Sequence, residues 1–162
     1  MRIMQKAAGK DFTVLNLTDI HWDIVDWKHG NEQYEAVMKT VNTLVDRVQP
    51  DLITVSGDLS WGMAVESYVA VADLLDGFGI PWAPVWGNHD YEKAEVNREA
   101  VEEFAKHPLC LFETGDPALG SGNYSIAIQE NCRTVAGLLM ADPHRGATIK
   151  DENGEEKDIV MQ

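Results

Sequence analysis

Three short polar clusters in the chain combine residues able to bind metals and move protons: Asp19-Ile20-His21, Gly57-Asp58 and Gly87-Asn88-His89-Asp90. Asp and Asn supply hard oxygen ligands and His supplies nitrogen, a mix that suits Mn, Fe, Zn or similar divalent ions. A carboxylate has two oxygens, so one Asp can bridge two metals about 3.5–4 Å apart. Asp58, in the middle cluster, is the natural bridge. Asp19 and His21 would then hold one ion, and the Asn88 amide oxygen the other. Two ions so held would clamp a phosphate ester and create a hydroxide for in-line attack. Singly, each cluster is ordinary turn chemistry, because Asp, Asn and Gly are common turn residues. The signal lies in their order and in what precedes each of them.

Each cluster follows a segment that reads as a strand. Phe12 to Leu17 (FTVLNL) and Leu52 to Val55 (LITV) are short apolar runs expected as buried strands. Trp82 to Trp86 is a third, and Pro84 within it predicts an edge or strongly bent position. Glu32 to Val48 reads as a helix, with Val37, Val41, Leu44, Val45 and Val48 near helical spacing and Pro50 just beyond. Ser67 to Phe78 reads as a second, with Val69, Ala72, Leu75 and Phe78 on one side and Gly79 as its stop. This alternation implies right-handed crossovers and a parallel sheet, whose ligands bind outside the carboxyl ends of the strands. All three clusters therefore converge on one sheet edge. Beyond them, Asn97 to Lys106 reads as a helix, and Asn123 to Gln129 with Arg133 to Met140 as a hairpin turning at Glu130-Asn131. Lys150 to Asp158 is charged and glycine-broken, and is expected as a surface hairpin or loose end. Neither a phosphate-binding P-loop nor a Gly-x-Ser-x-Gly nucleophile elbow occurs.

Taken together, the ordered clusters resemble the first three motifs of the calcineurin-like metallophosphoesterase superfamily, over roughly residues 12 to 141. The resemblance implies an α/β fold, a β-sandwich flanked by helices, and a binuclear-metal phosphohydrolase. Such an enzyme hydrolyses phosphomonoesters or phosphodiesters through two divalent metal ions and a metal-bound hydroxide. By motif position Asp19 and His21 would bind the first metal, Asp58 would bridge, and Asn88 would bind the second. His89 would face the substrate, stabilising the transition state or protonating the leaving oxygen. Asp90 is expected either to orient His89 or to stabilise the turn.

Purple acid phosphatases carry a metal-binding tyrosine three residues after the second-motif Asp. Trp61 stands there in this chain, so an iron–tyrosinate centre is not expected. Their first motif also lacks the histidine present here as His21. GNHDYE, Pro-Leu-Cys-Leu and Gly-Ser-Gly-Asn-Tyr-Ser are similar to purple-acid-phosphatase-related proteins lacking that tyrosine. Superfamily members carry two further motifs in their second half, a lone His and a Gly-His-x-His. His29, His107 and His144 are unassigned, and none sits in a Gly-His-x-His. His144 follows a predicted strand and reads as a surface-loop histidine. The chain is therefore expected to form a single domain over 1–162, incomplete at its C-terminus and carrying only the N-terminal part of the sandwich. The alternative to an enzyme is a catalytically weak or inactive truncated scaffold acting by protein contact. A half-sandwich should expose apolar sheet surface and favour self-association through it.

Composition agrees with one soluble folded domain: 162 residues, 44% hydrophobic and 25% charged. Asp and Glu number 27 against 13 Lys and Arg, a formal charge of -14. Such a surface repels phosphate backbones, which argues against a nucleic-acid partner unless metals offset the charge locally. The opening MRIMQKAAGKDF lacks an apolar h-region and no run approaches a membrane span, so a cytoplasmic protein with no membrane partner is expected. Cys110 and Cys132 are too few for a disulfide framework and are expected as buried free thiols. Trp22, Trp27, Trp61, Trp82 and Trp86 fall near the clusters, where some would fill the core and others would wall a pocket.

Overall fold

The computed structural model describes residues 1–24, 30–142, 147–150, 153–154 and 156–159. Two three-stranded sheets carry the architecture. In the first, β1 (Arg2–Gln5) runs parallel to β5 (Tyr124–Glu130), which pairs antiparallel with β6 (Arg133–Met140). In the second, β2 (Val14–Leu17), β3 (Leu52–Ser56) and β4 (Trp82–Val85) are all parallel, in that order. Helices α1 (Glu32–Val48) and α2 (Val65–Gly77) make the two crossovers, and α3 (Ala94–Phe104) packs against α2. The alternating pattern of the sequence thus yields the parallel sheet it predicts. A last antiparallel hairpin pairs β7 (Ala147–Lys150) with β8 (Glu156–Ile159).

Local chemistry sets the element ends. Asn31 caps α1 by accepting the Tyr34 N–H at 3.2 Å, which satisfies one of the helix's orphan donors. Gln49 ends it in the left-handed region (φ 47°), and Pro50 prevents its continuation. Gly79, with φ 69°, closes α2 by donating to the Asp76 carbonyl. Pro84 sits on the strand that ends the sheet order, where a missing ladder donor costs least. On its far side, Leu109 and Leu111 bond to β4 through both backbone groups of Trp82.

One apolar cluster joins the two sheets and the helices. Leu52, Ile53, Val55, Leu75, Trp82 and Ile126 are fully buried in it. Tyr68, Trp82, Trp86, Phe104, Phe112 and Tyr124 form a chain of ring contacts, mostly edge to face. The Tyr124 hydroxyl donates to the Pro84 carbonyl at 2.7 Å and ties the first sheet to the second. Trp22, Trp82 and Trp86 therefore belong to the core, whereas Trp61 is 42% exposed; Trp27 lies outside the described residues.

Several expectations need correction. β2 is not buried: Leu15 and Leu17 pack on the core, but Val14 is exposed and Asn16 points the other way. There its amide oxygen accepts the Thr54 and Ser56 hydroxyls, lining the face that β6 only partly covers. In α1 the inward stripe is Tyr34, Met38, Val41 and Val45, rotated from the predicted one, so Val37, Leu44 and Val48 are exposed. α3 begins three residues early, because Val96 joins Ala100 and Phe104 on the buried face. Cys110 is buried, and burial pushes its thiol up to about 12. Cys132 is exposed instead, because Asn131 and Cys132 (φ 51° and 63°) form the two-residue tip between Glu130 and Arg133. Among the described residues no helix is long and apolar enough to cross a membrane.

Candidate metal centre

The pairing of β2 with β3 does not stop where the strands do. Asp19 donates its N–H to the Gly57 carbonyl at 3.2 Å, His21 to Asp58 at 2.9 Å and Trp22 to Leu59 at 2.9 Å. The Thr18 hydroxyl contacts both the Asp19 carboxylate and the Ser56 carbonyl. Residue by residue, the first cluster is thus laid along the second. The result brings Asp19, His21 and Asp58 together, each offering a ligand atom within 4.8 Å of the others. His21 Nε2 lies 3.8 Å from Asp19 Oδ1 and 3.7 Å from Asp58 Oδ2.

All three residues hold left-handed backbone conformations, with φ of 53°, 48° and 51°. That region costs an L-residue of this kind on the order of 1 kcal/mol, and Asp and His bear it better than most. Three such residues converging on one point mark a place where geometry outranks local comfort. Two glycines allow the third cluster to close on them. A Cβ on Gly57 would lie 3.0 Å from the Gly87 Cα, and one on Gly87 would lie 2.2 Å from Asp58 Oδ1. Nothing larger fits either position.

The third cluster is fastened by Asp58 and Asp90. Asp58, itself buried, accepts the His89 N–H on Oδ1 at 3.0 Å, which leaves Oδ2 toward His21. Asn88 is exposed on the turn between Gly87 and His89, both of which touch Asp58. His89 is half-buried, and its Nδ1 lies 3.4 Å from Glu92 Oε1. Asp90 is completely buried and accepts from the N–H groups of Gly87, Leu59 and Ser60 and from the Tyr68 hydroxyl. Burial raises its pKa to about 6 against the pull of those four donors. Burial and the Asp90 charge drive Tyr68 far above the ordinary phenol value, so it remains a donor. These four bonds tie Asp90 to its own turn, to the loop of the second cluster and to α2. The carboxylate beside the His89 ring is Glu92.

Glu92 was not marked by the sequence reading, although its i+3 spacing from His89 within one helical turn was visible. Tyr68 was likewise missed, because it reads as a core aromatic. Trp61 is the aromatic that reaches the site: it stacks on His21 with centroids 4.1 Å apart. His107 lies elsewhere, its Nδ1 3.5 Å from Asp76 on α2. His29 and His144 are outside the described residues. Chemically, two carboxylates and an imidazole at this spacing suit a divalent cation of borderline hardness. The donor set fits the group that the clusters imply.

Comparison with known proteins agrees. The family model for calcineurin-like phosphoesterase matches residues 12–162. The chain is 31% identical to Phosphatase DCR2 of Saccharomyces cerevisiae, over 91% of this chain and 29% of that protein. It is 27% identical to Probable inactive purple acid phosphatase 14 of Arabidopsis thaliana, over 73% of this chain and 34% of the relative. Probable inactive purple acid phosphatase 28 of the same plant is also 27% identical, over 72% and 36% respectively. The chain thus spans about a third of the length of these relatives. With three clusters in order on adjoining strand ends and a family match across nearly the whole sequence, the chain belongs to the calcineurin-like phosphoesterase family.

Proposed function

We propose that the chain carries metal ligands of a phosphoesterase acting on phosphomonoesters or phosphodiesters through two divalent ions. Asp19 and His21 would hold one ion, Asn88 the second, and Asp58 would serve both. The observation that carries this reading is the convergence of Asp19, His21 and Asp58 within 4.8 Å, on backbone strained into place. When bound, such ions polarise phosphoryl oxygens and lower the pKa of coordinated water.

The chain's own residues would do the rest. Asp58 locks the second and third clusters together through the His89 N–H, so the donors arrive preorganised. Glu92 Oε1, 3.4 Å from His89 Nδ1, would engage that nitrogen. Nε2 is then the atom left to meet a phosphoryl or leaving-group oxygen. Asp90 keeps the turn rigid beneath both. On a chain of formal charge -14, cations at this site would also remove the repulsion that a phosphate ester otherwise meets.

A second reading, a metal-poor scaffold acting by protein contact, draws on two relatives named as probable inactive phosphatases. It also draws on β6, where Leu139 is 86% and Val135 49% exposed. One assay separates the two: hydrolysis of an aryl phosphate in manganese-supplemented buffer, with Asp58→Ala as control. The phosphoesterase reading expects low but measurable turnover that the substitution abolishes. Turnover that survives Asp58→Ala, or none at saturating manganese, would go against it.

A further inference from the structure

A histidine that ligates a metal through one ring nitrogen ordinarily donates the other N–H to a carboxylate, a carbonyl or water, which fixes its tilt and tautomer. His21 departs from that habit. Its Nε2 faces Asp19 and Asp58, while its Nδ1 is buried without a hydrogen-bond partner among the described residues. What lies against the ring is the Trp61 indole, with centroids 4.1 Å apart and planes inclined by 19°. The same indole meets the His89 ring edge to face, at 4.7 Å and 71°. The two imidazoles meet each other at 5.4 Å and 69°, so three rings close into one cluster.

The backbone on either side of Trp61 is tied to the third cluster. Gly62 has φ 66°, and a Cβ there would lie 2.2 Å from the His89 carbonyl oxygen. Lys93, beyond the third cluster, donates to the Met63 carbonyl at 3.1 Å. Trp61 is therefore pressed toward the third cluster although 42% of it remains exposed, so filling the core does not explain its position.

From this arrangement we infer that Trp61 is a positioning residue for the metal centre. Stacked nearly parallel, its face restricts the tilt of the His21 ring, which no hydrogen bond at Nδ1 fixes, and its contact with His89 holds the second imidazole at a fixed angle to the first. The inference rests on the metal-centre reading above, and its test has one arm independent of that reading. Direct manganese titration of the 162-residue chain should show Trp61→Ala weakening the affinity by about 10–100-fold, the range for lost outer-shell support. Trp61→Phe, which restores a ring face, should recover most of it. In the metal-free protein, the His21 ring-proton resonances should lie upfield in wild type and Trp61→Phe and return toward ordinary positions in Trp61→Ala. Trp61→Leu keeps apolar bulk without a π face, and it takes the role of Trp61→Ala if the latter does not fold. Wild-type affinity in the Ala or Leu variant would overturn the inference, as would unmoved His21 resonances. A wild-type chain that takes up no manganese would instead sink the metal-centre reading, and the metal-free resonances would still decide whether Trp61 holds His21.

Discussion

Four donors meet the Asp90 carboxylate, three from backbone and one from Tyr68. Asp90→Ala would leave those groups unpaired in a dry place, which should cost about 3 kcal/mol or more. Urea denaturation measures this directly; a loss within about 0.5 kcal/mol would mean that Asp90 is not the turn's anchor. At this scale the sequence was informative where spacing alone decides the outcome. Asp19, His21 and Asp58 each follow a strand, and parallel pairing carries them to one point. It was less informative where a side chain must choose a direction. Whether Asp90 turns toward His89 or inward depends on φ/ψ values in a four-residue turn, which residue types do not determine. Glu92 beside His89 and the stacking of Trp61 on His21 depend on the same turn and on Gly62.

Among the elements, the parallel unit β2–α1–β3–α2–β4 was legible because buried apolar runs alternate with helical ones. The face that α1 turns inward was not. Tyr34, Val37, Met38, Val41, Leu44, Val45 and Val48 spread over more of the helix than one packed stripe can use. The sheet's position selects Tyr34, Met38, Val41 and Val45. A paired comparison checks that selection. Val45→Ala should cost about 1–2 kcal/mol, and Leu44→Ala, despite removing more carbon, less than about 0.5 kcal/mol. The reverse order in equilibrium unfolding would restore the stripe predicted from sequence. β1 gave no local signal either. Four residues with three exposed form a strand only because Arg2 to Gln5 meet Ile126 to Gln129, more than a hundred residues away.

Across the whole molecule, the two sheets are joined by aromatic contacts and by the Tyr124 hydroxyl, and the clusters project from one edge of the second sheet. That division suits a site: the core can be rigid while three short loops carry the candidate ligands. The family match covers residues 12–162, although the chain spans about a third of its relatives, so the claim of greatest consequence concerns what this portion binds by itself. That claim is that Asp19, His21 and Asp58 form a divalent-metal site within the chain. The most direct measurement is a manganese titration of metal-stripped wild type and Asp58→Asn, read as bound ion per chain and dissociation constant. Saturable uptake by the wild type, weakened at least about tenfold by the substitution, is the predicted result. Equal binding by the two proteins, or no uptake by either, would contradict it.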